Sequence, residues 1–252
     1  MRFQIADPLG LPVSSGVPVP AAYQEFVYKF APPAFTSHPF VDMIVQEKRV
    51  GDFLLASHVL IVKEPVLLSP GTDESACTLY CMLKGAVECA ITGFPKPIWF
   101  VQGQYFLFCI NKGSHRAFFE PGVYQSFHIN FPASFLAEIA PVEDPILQIA
   151  YQPDQSAALT GTLWHPLYES IDELRNNTED AAVNYQRLVN IMEQMLLLVI
   201  DRKRGSGRSE SRSIIDESVL HSIQHYINFH VHEQLNLQTL SRRFNLQPLE
   251  LQ

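Results

Sequence analysis

Thr78-Leu79-Tyr80-Cys81-Met82-Leu83-Lys84 and Ser126-Phe127-His128-Ile129-Asn130-Phe131 both alternate with period two. In an extended strand successive side chains point to opposite faces. Leu79, Cys81 and Leu83 therefore share one face, and Thr78, Tyr80, Met82 and Lys84 the other. In the second stretch Phe127, Ile129 and Phe131 pack on one side, while Ser126, His128 and Asn130 form a more polar one.

Further short apolar runs surround these two. Asp52 to Val62, Pro65 to Leu68, Val87 to Ile91, Ile98 to Val101 and Tyr105 to Ile110 read as strands. They are separated by turn signals at Pro70-Gly71, Gly93-Phe94-Pro95, Asn111-Lys112-Gly113 and Pro121-Gly122. Many short strands at close spacing predict an antiparallel β-barrel or jelly roll over residues 40–132. Before it, Pro8, Pro12, Pro18, Pro20, Pro32, Pro33 and Pro39 mark residues 1–39 as an extended arm, because proline removes donors and fixes the backbone.

After Pro132 the pattern turns helical, giving an α+β chain. Ala133 to Ala140, Leu163 to Leu174 and Asp180 to Arg204 are the predicted helices of a segment spanning residues 133–204. In the last, Ala181, Tyr185, Leu188, Met192, Met195, Leu196 and Val199 recur at helical spacing. Such a stripe serves as core or as a dimer seam, and core packing takes the larger share. Residues 205–213, with two glycines, four serines and no apolar residue, read as a flexible linker.

The chain has 252 residues and a net charge of −8. Residues up to 200 carry 11 basic and 20 acidic side chains (−9), and those from 201 carry 7 and 6 (+1). An acidic body repels nucleic acid, so any DNA contact falls to the C-terminal part. No apolar run reaches the roughly 20 residues of a membrane span. With no basic-then-apolar leader, a cytoplasmic, membrane-free protein is expected. Cys77, Cys81, Cys89 and Cys109 form no CxxC pair and sit in apolar strands, so buried reduced thiols are expected.

The last segment carries the functional signal. Asp216 to His230 has the spacing of an amphipathic helix. Asn236 then caps a two-turn helix whose apolar face is Leu237, Leu240 and Phe244. Asn245 suits the left-handed position after it, and Pro248 suits the start of another helix. Residues 214–252 thus follow the grammar of a helix-turn-helix.

From Ser218 to Gln252 the chain resembles the opening of the AraC-family DNA-binding domain. Leu240-Ser241, Phe244, Asn245, Leu246-Gln247 and Leu251 stand at the family's motif positions, with Ser241 and Gln247 departing from the commonest residues. The resemblance implies a cupin-like sensor barrel ahead of a DNA-reading domain that is incomplete by Gln252. It also implies a homodimer, DNA as a partner of the full-length protein, and contacts from Arg242, Arg243, Gln247, Leu249 and Glu250. A small-molecule effector is the further partner it suggests.

If the barrel binds an effector, alternation nominates Tyr80, Met82, Phe106, Phe108 and His128 as its lining. Plain core packing is the competing role for each. No cofactor is expected. His38, His58, His115 and His128 are isolated, and the one His-x-His pair, His230 and His232, lies outside the barrel, so a barrel-held metal is not expected. With no nucleophile or phosphate-binding motif, the chain reads as a non-enzyme. A ligand-free dimerisation module is the alternative, and a cupin-fold enzyme a weaker one.

Overall fold

The computed structural model describes residues 2–5, 13–72, 74–94, 96–140, 144, 159–178, 181–206 and 236–244. The chain divides into two compact units, residues 1–204 and 205–252. No described helix is long and apolar enough to cross a membrane.

The first unit is built on two antiparallel sheets. Its strands are β1 (Arg2–Ile5), β2 (Ser14–Ser15), β3 (Ala34–Ser37), β4 (Val41–Val50), β5 (Phe53–Val62), β6 (Val66–Thr72) and β7 (Ala76–Lys84). There follow β8 (Ala86–Ala90), β9 (Ile98–Val101), β10 (Gln104–Ile110), β11 (Gly113–Ser114), β12 (Arg116–Phe119), β13 (Gly122–Phe131) and β14 (Leu159–Thr162). A long sheet runs β14-β10-β7-β13-β5-β4-β3-β2, and a short one β1-β6-β12-β8-β9 with β11 on β6. From β5 to β13 the chain passes back and forth between the sheets, which is the winding of a jelly roll. The described strands form two facing sheets rather than the single closed barrel the strand spacing allowed. Each sheet keeps its own strand order, and no described strand ladder joins the two.

Helices cover the outer face of the long sheet. They are α1 (Ala133–Ile139), α2 (His165–Asn176) and α3 (Ala181–Ser206), the last with a break in helical geometry at Asn184. The predicted alternation becomes two separate cores. Leu79, Cys81, Phe127, Ile129 and Phe131 face the helices and join Leu136, Leu167, Ile171, Leu188, Met192, Met195, Leu196 and Val199. The opposite face, with Met82, Phe106 and Phe108, packs against Leu68, Val87, Phe100 and Phe119 of the short sheet. Most of the stripe on α3 is thus spent inside its own chain: Leu188, Met192, Met195, Leu196 and Val199 are all 0 % exposed, whereas Tyr185 is 44 % exposed and the side chain of Ala181 lies outside the described residues.

Three expectations change. First, the proline-rich arm is extended but not free. It contributes β1, β2 and β3, together with a 3-10 turn at Ala21–Phe26, and Gln46 anchors it by donating to the carbonyls of Tyr28 and Ala31. Proline blocks helix yet leaves intervening stretches such as Ala34–Ser37 able to pair. Second, β4 escaped the strand reading because buried polar residues interrupt its apolar pattern. Its Asp42 accepts from Ser37 (2.6 Å), Lys63 (2.7 Å) and Tyr23 (3.0 Å).

Third, Cys77 and Cys109 are disulfide-bonded rather than free, leaving Cys81 and Cys89 as buried thiols. The two residues stand directly opposite in the β7–β10 register, with Cα atoms 3.9 Å apart. Cross-strand pairing across a hairpin-like ladder is invisible to residue spacing alone.

In the second unit the described element is α4 (Leu237–Phe244), the two-turn helix predicted after Asn236. The predicted helix from Asp216 to His230 lies outside the described residues, as does 207–213 of the predicted linker. Gly205 and Ser206 continue α3 instead.

Candidate ligand-binding cavity

Between the two sheets lies a partly open cavity in which about 60 Å³ can take the centre of a water molecule, within about 640 Å³ of empty space that includes solvent at its mouth. The long sheet lines it with His58 and Leu60 of β5, Tyr80 and Met82 of β7, Phe108 and Ile110 of β10, and Tyr124, Gln125 and Ser126 of β13. The short sheet and its loops supply Pro70, Val87, Cys89, Ile91, Phe100, His115, Ala117 and Phe119. Neighbours Gln125 and Ser126 both border it where the β13–β7 register shifts, and the Gln125 amide donates to the Tyr28 hydroxyl. Such a bulge re-aims side chains beside a site.

Of the residues nominated from alternation, Tyr80, Met82 and Phe108 line the cavity. Phe106 belongs to the same apolar cluster, 4.7 Å from the Phe100 ring. His128 is not part of the lining; its ring stacks 5.7 Å from Tyr80 and lies tilted 4.8 Å from His58. Arg242 and Arg243 fall within α4, but their side chains lie outside the described residues, and so do Gln247, Leu249 and Glu250.

The sequence reading missed His58, His115, Cys89, Phe100 and Ser126. His58 was weighed only as a metal ligand, and His115 as a metal ligand or as part of a polar turn with Gly113, Ser114 and Arg116. The alternation His58, Leu60, Val62 places His58 on the same face as its apolar neighbours, and that signal was available. The loop carrying His115 read as an ordinary hairpin turn, with nothing in its spacing to aim the ring at the cavity.

The cavity holds no fixed charge. No Lys, Arg, Asp or Glu lines it among the described residues. Burial pushes His58, His115 and His128 below the ordinary histidine value, keeping all three rings neutral near pH 7. Just outside, the Glu47 carboxylate stands 3.8 Å from His58 and is held well below the usual carboxylate range, first by that histidine. Burial also raises the Tyr80 phenol, and the Cys89 thiol to about 12. Tyr80 directs its hydroxyl to the Met82 sulfur at 3.9 Å, and Tyr124 donates to the Glu120 carbonyl at 2.9 Å. Both hydroxyls are thereby turned onto protein atoms. Among the described residues no group of three or more His, Cys, Asp or Glu could hold a metal ion.

No family model and no curated protein sequence matches the chain. Among solved structures it is similar to the AraC-like transcriptional activator CuxR, at 13% identity over 84% of this chain and 73% of that one, with a TM-score of 0.42. It is similar to the EutQ protein of Clostridium difficile at 13% identity, over 38% of this chain and 71% of that one, with a TM-score of 0.28. A cupin superfamily protein of Desulfitobacterium hafniense gives 11% identity, 38% and 80% coverage, and a TM-score of 0.27.

Proposed function

We propose that residues 1–204 are the sensor of a DNA-binding transcription regulator of the AraC type, and that the chain performs no catalysis. The observation that carries this reading is the apolar cavity between the sheets, a concave site with a few placed polar groups. The helix-turn-helix grammar from Asn236 onward supplies the DNA-reading part, with α4 as its first helix. The charge distribution supports the same division, since the acidic body leaves DNA contact to the C-terminal residues.

Regulation follows by linkage. A ligand that prefers one arrangement of the full-length homodimer changes DNA affinity by the ratio of its affinities for the two arrangements. The described lining offers neutral histidines, two tyrosines, a serine and a protonated thiol, and the one carboxylate beside it, Glu47, stands against His58 outside the lining.

Native mass spectrometry of the purified chain tests the reading. A dimer carrying additional small-molecule mass is expected. A ligand-free dimer that takes up no compound from a metabolite library would replace the sensor with a plain dimerisation module. Turnover of a compound held in the cavity would replace it with a cupin-fold enzyme.

A further inference from the structure

The ligand's chemistry can be read from His115, on the understanding that the cavity is a sensor site. The loop before β12 fixes this ring. The His115 amide donates to the Pro70 carbonyl at 2.7 Å, and the Thr92 hydroxyl donates to the neighbouring Ser114 carbonyl at 2.6 Å. The Thr92 backbone N–H then donates to His115 Nδ1 at 3.2 Å. A ring nitrogen that accepts carries no proton, so the proton of the neutral imidazole resides on Nε2. Nε2 is on the opposite edge of the ring, is buried, and meets no acceptor among the described residues. The residue is only 3 % exposed and lines the cavity. It is a fixed donor awaiting an acceptor, and a buried donor left unmade is costly.

The remaining surface limits what can bring that acceptor. The wall is almost entirely carbon: its tyrosine hydroxyls at Tyr80 and Tyr124 are directed at protein atoms, the Gln125 amide donates to the Tyr28 hydroxyl, and His58 and Ser126 are the other polar side chains in the described lining besides His115 and the Cys89 thiol. A sugar would bury many hydroxyls without partners. A nucleotide or sugar phosphate would bury charge where no described Lys or Arg answers it. We propose that the cavity takes a small, uncharged aryl or alkyl carbonyl compound, its apolar body between Met82, Phe100 and Phe108 and its one oxygen accepting from His115 Nε2.

Titration calorimetry with a matched pair of probes tests this. Acetophenone carries the carbonyl oxygen, and ethylbenzene has nearly the same shape without it. The native chain is expected to bind acetophenone about tenfold more tightly than ethylbenzene, the worth of one buried hydrogen bond. In His115→Phe that preference disappears, while ethylbenzene binding is kept. The comparison of probes on the native chain stands even if the variant fails to fold. Equal binding of the two probes would overturn the role of His115 and leave a ligand cavity. Binding of glucose or a nucleoside phosphate instead would overturn the ligand class while leaving the sensor reading. Binding of none of these, with an empty native mass spectrum, would remove the sensor reading itself.

Discussion

Phe127 is wholly buried on β13 and meets the Phe30 ring edge-on at 6.1 Å, so one side chain joins the proline-rich segment to the helix-facing core. Truncating it leaves a cavity among rigid neighbours. Phe127→Ala is expected to cost about 3–5 kcal/mol, measured as a shift in the urea midpoint. Unchanged stability would mean that this core is not packed as described. His128 makes the complementary, pH-dependent contribution. Its ring nitrogens are buried without a hydrogen-bond partner among the described residues, beside His58 and Tyr80. Burial, with the nearby His58 second, holds its folded pKa well below the ordinary value. As pH falls through about 6.5 the unfolded chain takes up a proton that the native ring refuses. Stability is therefore full above that pH and declines below it, by at most about 1.4 kcal/mol per pH unit for each such ring. His58 and His115, shifted the same way, add to the slope. Urea denaturation between pH 5 and 8 measures it, and His128→Phe should flatten it; a profile flat in the native chain contradicts the buried, neutral rings.

At the scale of elements, the strands that alternate cleanly were legible and those that do not were missed. β7 and β13 declare both of their faces through Leu79, Cys81, Phe127 and Ile129, and the two-core arrangement follows from them. β4 hides behind Asp42 and Gln46, whose burial depends on partners from Tyr23 to Lys63 that no local pattern reveals. β14 is a further case: Leu159–Thr162 rejoins the long sheet beside β10 only after α1 has intervened. A methyl group on its Gly161 would come within 2.7 Å of the Tyr105 ring, which is 1 % exposed and packs against Trp164. With no room for that ring to swing away, Gly161→Ala is expected to cost about 1–3 kcal/mol in thermal melts. The helix stripe was legible, but its destination was not, since helical spacing fits a core and a dimer seam equally. The structure buries most of it, so Leu196→Ala should cost about 2–5 kcal/mol and leave the oligomeric state unchanged. Dissociation of a dimer without loss of stability would restore the seam.

At the scale of the whole molecule the layers divide the work: helices seal one face of the long sheet, and the other face, with the short sheet, encloses the cavity. Three of the cavity's lining residues, Tyr80, Met82 and Phe108, followed from alternation. His115 was not, because its position depends on Pro70 and Thr92, distant in sequence and brought together only by strand pairing. The methionines report on the two cores separately. Met82 belongs to the cavity side, whereas Met192 and Met195 belong to the helix side. The most direct test of a ligand site between the sheets is therefore methionine-methyl NMR during titration with acetophenone. A saturable shift of Met82, with Met192 and Met195 unmoved, is the predicted result; shifts at Met192 and Met195 instead, or at none of the three, would contradict it.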